Sequence, residues 1–210
     1  MKIRIDLKIF IFLVIFYITN QIKIYIIIMF FCFLHEIGHI LVGIILKMKL
    51  EKLEIMPCGL SSSFRAYTTD FNYKIKNGNL LELKNIIVAI SGPALSFILI
   101  IIFSYVDIQY IAKQEAIYSN LVILIFNLIP LYPLDGGRII KGILHIEFGS
   151  ERSENIINNI SKVTMVILTI TSSIVVYYLK NIAIFLVCIF LWNLILKEKH
   201  GKRLDILRRK

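Results

Sequence analysis

From Ile86 to Val106 the chain carries no charged residue, and that stretch has the roughly 20-residue length a helix needs to cross a bilayer. Such a run leaves few folds open, because in hydrocarbon every backbone donor and acceptor must be paired within a helix or a closed barrel. Hydrophobic residues make up 58% of the 210 and charged ones 18%, against about a quarter charged in a soluble domain. The sequence therefore reads as an all-α integral membrane protein in contact with the lipid bilayer. Six apolar segments mark six transmembrane helices: Ile9 to Gln21, Ile24 to Leu46, Ile86 to Val106, Ile117 to Leu131, Val163 to Leu179 and Asn181 to Leu196. The spans leave room for a single unit, a membrane core over residues 1–196 followed by a basic tail over residues 197–210.

Charge gives an independent test of those spans. The formal net charge is +10, which in a soluble protein would suggest a nucleic-acid partner. With six spans and both termini on one side, 21 of the 24 Lys and Arg fall on that side and three on the other. Positive residues accumulate on the cytoplasmic side of membrane proteins. Both termini are therefore expected in the cytoplasm, and no nucleic-acid partner is needed. The tail from Lys197 to Lys210 reads as part of that topology signal and as a contact for anionic lipid. The three cysteines, Cys32, Cys58 and Cys188, have no metal-type spacing and read as reduced packing residues. After the second span, Leu53 to Tyr67 is semi-polar and reads as a short β-hairpin, a re-entrant segment or a plain loop. Asp70 to Lys84 reads as solvated, and Glu151 to Ser161 as a surface helix ahead of the fifth span.

Within the second span stands His35-Glu36-Ile37-Gly38-His39. Positions i and i+4 share a helix face, so both imidazoles reach one Zn²⁺ while Glu36 projects beside them as a base for water. Ionisable groups in mid-span cost on the order of 2.5–3.5 kcal/mol each when charged, so they demand a reason. The plainer reading is a polar cluster that packs helices together. Catalytic zinc takes three protein ligands, and Asp135 is the one carboxylate that ends an apolar segment on the same side as the histidines. Asp6 and Asp205 belong to the tails, and Asp107 and Glu115 to the opposite face. Asp135 follows Pro130 and Pro133 and precedes Gly136 and Gly137, a composition that breaks a helix and lets backbone line a polar cavity. Taken alone, it equally suits an ordinary Pro-Gly turn. His145 and His200 read as lone, solvated or interfacial side chains.

The His-Glu-Ile-Gly-His helix, the Asn127-x-x-Pro130-x-x-Pro133-Leu134-Asp135-Gly136-Gly137 segment and the six-span layout resemble the site-2 protease family of intramembrane zinc metalloproteases. Ser91-Gly92-Pro93 is similar to a family segment as well. The compact layout looks most like the sporulation branch of that family. The resemblance implies one zinc held by His35, His39 and Asp135, Glu36 as catalytic base, and Asn127 as a substrate-positioning residue. It further implies a membrane-associated protein substrate, such as the pro-sequence of a sporulation sigma factor, with membrane inhibitor proteins as partners and a mother-cell membrane around the forespore as location. Sporulation members commonly carry a C-terminal nucleotide-sensing domain; with the sequence reaching Lys210, none is expected here. The competing functions are a zinc or proton transporter using the same ligands, and a non-catalytic membrane partner holding a structural metal. A transporter calls for polar groups at several depths and paired repeats, whereas here the ionisable groups gather at one depth.

Overall fold

The structure, a computed structural model, describes residues 2–56, 59–65, 76–106, 111–179, 189 and 191–193. The chain begins with a short strand, β1 (Lys2–Ile5), then a helical hairpin of α1 (Lys8–Ile18) and α2 (Ile22–Ile45). Strands β2 (Lys49–Met56) and β3 (Gly59–Arg65) follow, then α3 (Lys76–Tyr105), α4 (Lys113–Leu128), α5 (Asp135–Phe148) and α6 (Ser150–Leu179). The three strands form one sheet in the order β1-β2-β3, with β1 parallel and β3 antiparallel to β2.

A hairpin in the region of Leu53 to Tyr67 matches one of the sequence alternatives, while the strand added by the N-terminus was not anticipated. Four residues cannot display a period, and the partner of β1 lies some fifty residues away: Lys2 pairs with Lys52 and Ile5 with Ile55. The molecule is thus mostly helical with a small sheet, a correction to the all-α expectation. The sheet sits at the C-terminal end of α2. A Cβ on Gly43 would meet the ring of Phe64 at 2.4 Å, so glycine is what lets β3 lie against the helix.

Among the described residues, three helices are long and apolar enough to cross a membrane: Ile22–Ile45, Asn79–Tyr105 and Ser150–Tyr178. The expected first span is the 11-residue α1, about 16 Å long at 1.5 Å per residue and too short for a hydrocarbon core of about 30 Å. The fourth is the 16-residue α4. The expected fifth span and the surface helix before it are one continuous helix, α6, because nothing between Glu151 and Leu179 interrupts it. Likewise α3 begins at Lys76, within the stretch read as solvated loop. The sixth span falls almost wholly outside the described residues, as do the tail 197–210, His200, Cys58 and Cys188.

The core forms where α2, α3 and α4 meet, through Ile27, Phe31, Cys32, Phe103, Ala116 and Ile123. Phe31 and Phe103 pack edge to face with centroids 5.5 Å apart, a favoured aromatic geometry. Cys32 is buried as a thiol. On α1 and α2, Phe16 stacks on Tyr25 at 4.7 Å. Apolar side chains such as Ile101, Ile102, Val166 and Ile170 remain exposed on α3 and α6, which is how a lipid-facing surface is built.

Between α4 and α5 the chain runs through bends and a tight turn in which the Leu134 N–H donates to the Leu131 carbonyl at 2.7 Å. Pro130 and Pro133 lack the N–H groups a helix would use, the Tyr132–Pro133 peptide is cis, and α6 takes up the released backbone groups. Ser161 Oγ accepts the Tyr132 N–H at 3.1 Å, and Thr164 Oγ1 donates to the Pro130 carbonyl at 3.3 Å. Non-helical backbone is tolerated at membrane depth under this condition, when protein groups satisfy it. Immediately afterwards Gly136 and Gly137 lie so close to residues 128–132 that a Cβ on either would meet backbone at 2.3–2.4 Å. These contacts fold α5 back against the turn that precedes it and fix Asp135 at its first turn.

Candidate metal centre

α2 and α5 bring His35, His39 and Asp135 together. Asp135 Oδ2 lies 3.0 Å from His35 Nε2 and 3.1 Å from His39 Nε2, and the two ring nitrogens are 3.2 Å apart. Tetrahedral zinc with ligands at 2.0–2.1 Å would set its ligand atoms about 3.3 Å from one another. All three residues are buried, at 2–5% exposure, and among the described residues they are the one group of His, Cys, Asp or Glu able to share an ion. Asp135 stands at the N-terminus of α5, where the helix dipole favours a carboxylate. Its other oxygen faces Arg138 Nη1 at 3.7 Å.

The hydrogen bonds on the outer ring nitrogens decide what the inner ones present. His39 Nδ1 lies 2.7 Å from the Val88 carbonyl oxygen, which only accepts, so Nδ1 carries the proton and donates. In the neutral ring Nε2 then bears a lone pair. That lone pair points at a carboxylate oxygen and at a second imidazole nitrogen, an arrangement a cation would satisfy. His35 Nδ1 lies 2.9 Å from Ser96 Oγ. Both outer partners come from α3, which contributes no ligand.

α3 also leaves the room. A Cβ on Gly92 would stand 2.3 Å from His39 Nε2 and 2.6 Å from His35 Nε2, so at that point the space beside both ligand atoms is kept open by glycine alone. On the same stretch a Cβ on Gly38 would meet the Ser91 carbonyl at 2.9 Å, which shows how closely α2 and α3 approach. Glu36 is 5% exposed, and its Oε1 has no hydrogen-bond partner. An unpaired buried carboxylate oxygen costs several kcal/mol unless water or a substrate group meets it. The donor set and the spacing fit a zinc ion.

The remaining candidates fall elsewhere. Asn127 donates from Nδ2 to the Ile123 carbonyl of its own helix at 3.0 Å, and no hydrogen bond joins it to the three clustered side chains. His145 is not a lone side chain: its Nδ1 pairs with Glu82 Oε1 at 3.3 Å, linking α5 to α3. Glu115, placed on the opposite face from sequence, pairs there with Lys23 at 2.8 Å. Ser96 was not singled out, and Gly92 entered only as part of the Ser91-Gly92-Pro93 segment, without a role in the site. The one further signal is that both are small or polar within the most apolar span.

Comparison with known proteins agrees with this geometry. Residues 111–170, which include Asp135, match the model of peptidase family M50. A zinc metalloprotease of Methanocaldococcus jannaschii is 32% identical over 167 residues, 76% of this chain. The chain spans 44% of the length of that curated relative. The solved structure of a site-2 protease from Methanocaldococcus jannaschii superimposes with a TM-score of 0.69 at 27% identity, covering 94% of this chain and 91% of that one. Site geometry, fold and sequence thus converge on a likeness to peptidase family M50, the site-2 protease family.

Proposed function

We propose that this chain is an intramembrane zinc metalloendopeptidase that cleaves a membrane-associated protein near the cytoplasmic face. One observation carries the reading: two imidazole nitrogens and a carboxylate oxygen converge to within 3.2 Å of one another beside an unpartnered buried glutamate. His35, His39 and Asp135 would hold the ion. Zinc, when bound, supplies Lewis acidity to a water molecule and to the scissile carbonyl. Glu36 takes the proton from that water and delivers it to the leaving amine.

The substrate must present an extended peptide, because helical peptide bonds are shielded by their own hydrogen bonds. Of the two edges in the sheet order, that of β3 lies against α2 close to the site, and a substrate strand added there would gain main-chain hydrogen bonds. Single cysteines along β3 are expected to cross-link to bound substrate more strongly than cysteines on the outer face of α6. Asn127, whose amide oxygen is not used within α4, is assigned to hold substrate. Asn127→Ala is expected to raise KM more than it lowers kcat.

The finer assignment adds six spans with both termini cytoplasmic, a pro-sigma-factor substrate, membrane inhibitors and a mother-cell location, as in stage IV sporulation protein FB. The 21-to-3 charge division supports the cytoplasmic placement alone; the substrate, inhibitors and location rest on the resemblance of the motifs and the compact layout. The decisive test is Glu36→Gln assayed on a membrane-associated substrate. Zinc should stay bound while cleavage falls by about 10²–10⁴-fold, the usual contribution of a general base. Undiminished cleavage overturns the mechanism, and zinc flux across sealed vesicles would favour a transporter.

A further inference from the structure

We propose that Ser96 is the positioning residue that fixes His35 for metal binding, so that α3 sets the orientation of both histidines without itself supplying a ligand. The inference rests on the reading of His35, His39 and Asp135 as a metal centre. If Nε2 of His35 takes the ion, the ring's remaining proton must lie on Nδ1. The partner the structure offers that proton is Ser96 Oγ, 2.9 Å away on a side chain with no exposure to solvent.

The behaviour of neighbouring hydroxyls sets Ser96 apart. A serine or threonine within a helix ordinarily donates back to a carbonyl three or four residues earlier. Ser91 does so to Val88, Ser104 to Ile100, and Ser172 and Ser173 to Thr169. Ser96 instead has its hydrogen bond 61 residues away in sequence, across the interface with α2. For His39 the same task falls to the backbone carbonyl of Val88, which no substitution of side chain removes. Ser91 Oγ makes only a long second contact to His39 Nδ1, at 3.5 Å, so Ser96 is the point at which side-chain support of the histidine pair is tested most directly by mutation. Outer-shell partners of metal-bound histidines fix ring orientation and raise ligand basicity, and their loss commonly weakens metal binding by about 10–100-fold.

The experiment measures zinc affinity of the purified full-length chain in detergent by competition with a chromophoric chelator, alongside the visible spectrum of the cobalt-substituted protein. Ser96→Ala is expected to weaken zinc binding by about 10–100-fold and to alter the cobalt spectrum, while the melting temperature of the metal-free protein stays unchanged. Ser96→Thr keeps the hydroxyl and is expected to recover most of the loss. Unchanged affinity in Ser96→Ala, a loss matched by an equal fall in metal-free stability, or equal weakness of the Thr and Ala variants overturns the role of Ser96. Failure of the unsubstituted protein to take up zinc overturns the metal-centre reading itself.

Discussion

At Gly92 the missing side chain is itself a requirement of the site. The 2.3 and 2.6 Å distances from a built Cβ to the two histidine nitrogens are shorter than any contact a carbon atom tolerates. The atoms met are ligand atoms held from behind by Val88 and Ser96, so they have no easy retreat. Gly92→Ala is expected to reduce zinc content by at least about 10-fold, the loss typical of disturbed ligand orientation, with helix content retained by circular dichroism. Full zinc occupancy in this variant would mean the ligands lie elsewhere. The histidines and Glu36 were legible in the sequence because a helix converts a four-residue spacing directly into a shared face. Asp135 was legible by elimination, since so few carboxylates end an apolar run. Ser96 and Gly92 were not, because their roles come from how α3 packs on α2, and no local spacing records a contact between residues some sixty positions apart.

Among the elements, the joint between α4 and α5 governs whether the third ligand arrives. Two prolines announced the break, yet the helix beginning at Asp135 was hidden, since Gly136 and Gly137 are poor helix formers and tertiary contact with residues 128–132 overrides that preference. The break is stable because α6 serves its backbone. Ser161→Ala would leave the Tyr132 N–H without its acceptor, and an unsatisfied buried donor costs about 1–3 kcal/mol. A fall in thermal stability of that order is expected in detergent, with weaker zinc binding, since Asp135 follows Tyr132 by three residues. An unchanged melting temperature would show that water replaces the serine. The sheet was half legible for a related reason. A hairpin pairs neighbours in sequence, so β2 and β3 left a signal, whereas β1 reaches its place only after the chain has made the excursion through α1 and α2.

On the scale of the whole molecule, the metal centre is a clasp between α2 and α5, whose ligands are a hundred positions apart. An ion that binds only the assembled site stabilises the fold by mass action, about 2.7 kcal/mol at a hundredfold excess over its dissociation constant. Chelation should therefore lower the melting temperature and restored zinc should raise it again, whereas the His35→Ala protein should melt at one temperature in both conditions. The sheet adds a constraint on topology that hydropathy lacks. Because β1 and β2 are neighbours in one sheet, α1 and α2 together take the chain away from the sheet and back, and of the two α2 alone is long enough to cross a membrane. The turn between those helices, with Lys23 paired to Glu115, then lies at the far end of the molecule from β2. On the proposed orientation, the sheet end faces the cytoplasm. In a background with the three native cysteines replaced by serine, Lys23→Cys should react with a membrane-impermeant maleimide added outside intact cells. Glu51→Cys, exposed on β2, should react only after the membrane is opened. Labelling of both from the same side would mean that α2 does not carry the chain across the bilayer between these points, and that the charge count had been assigned to the wrong spans.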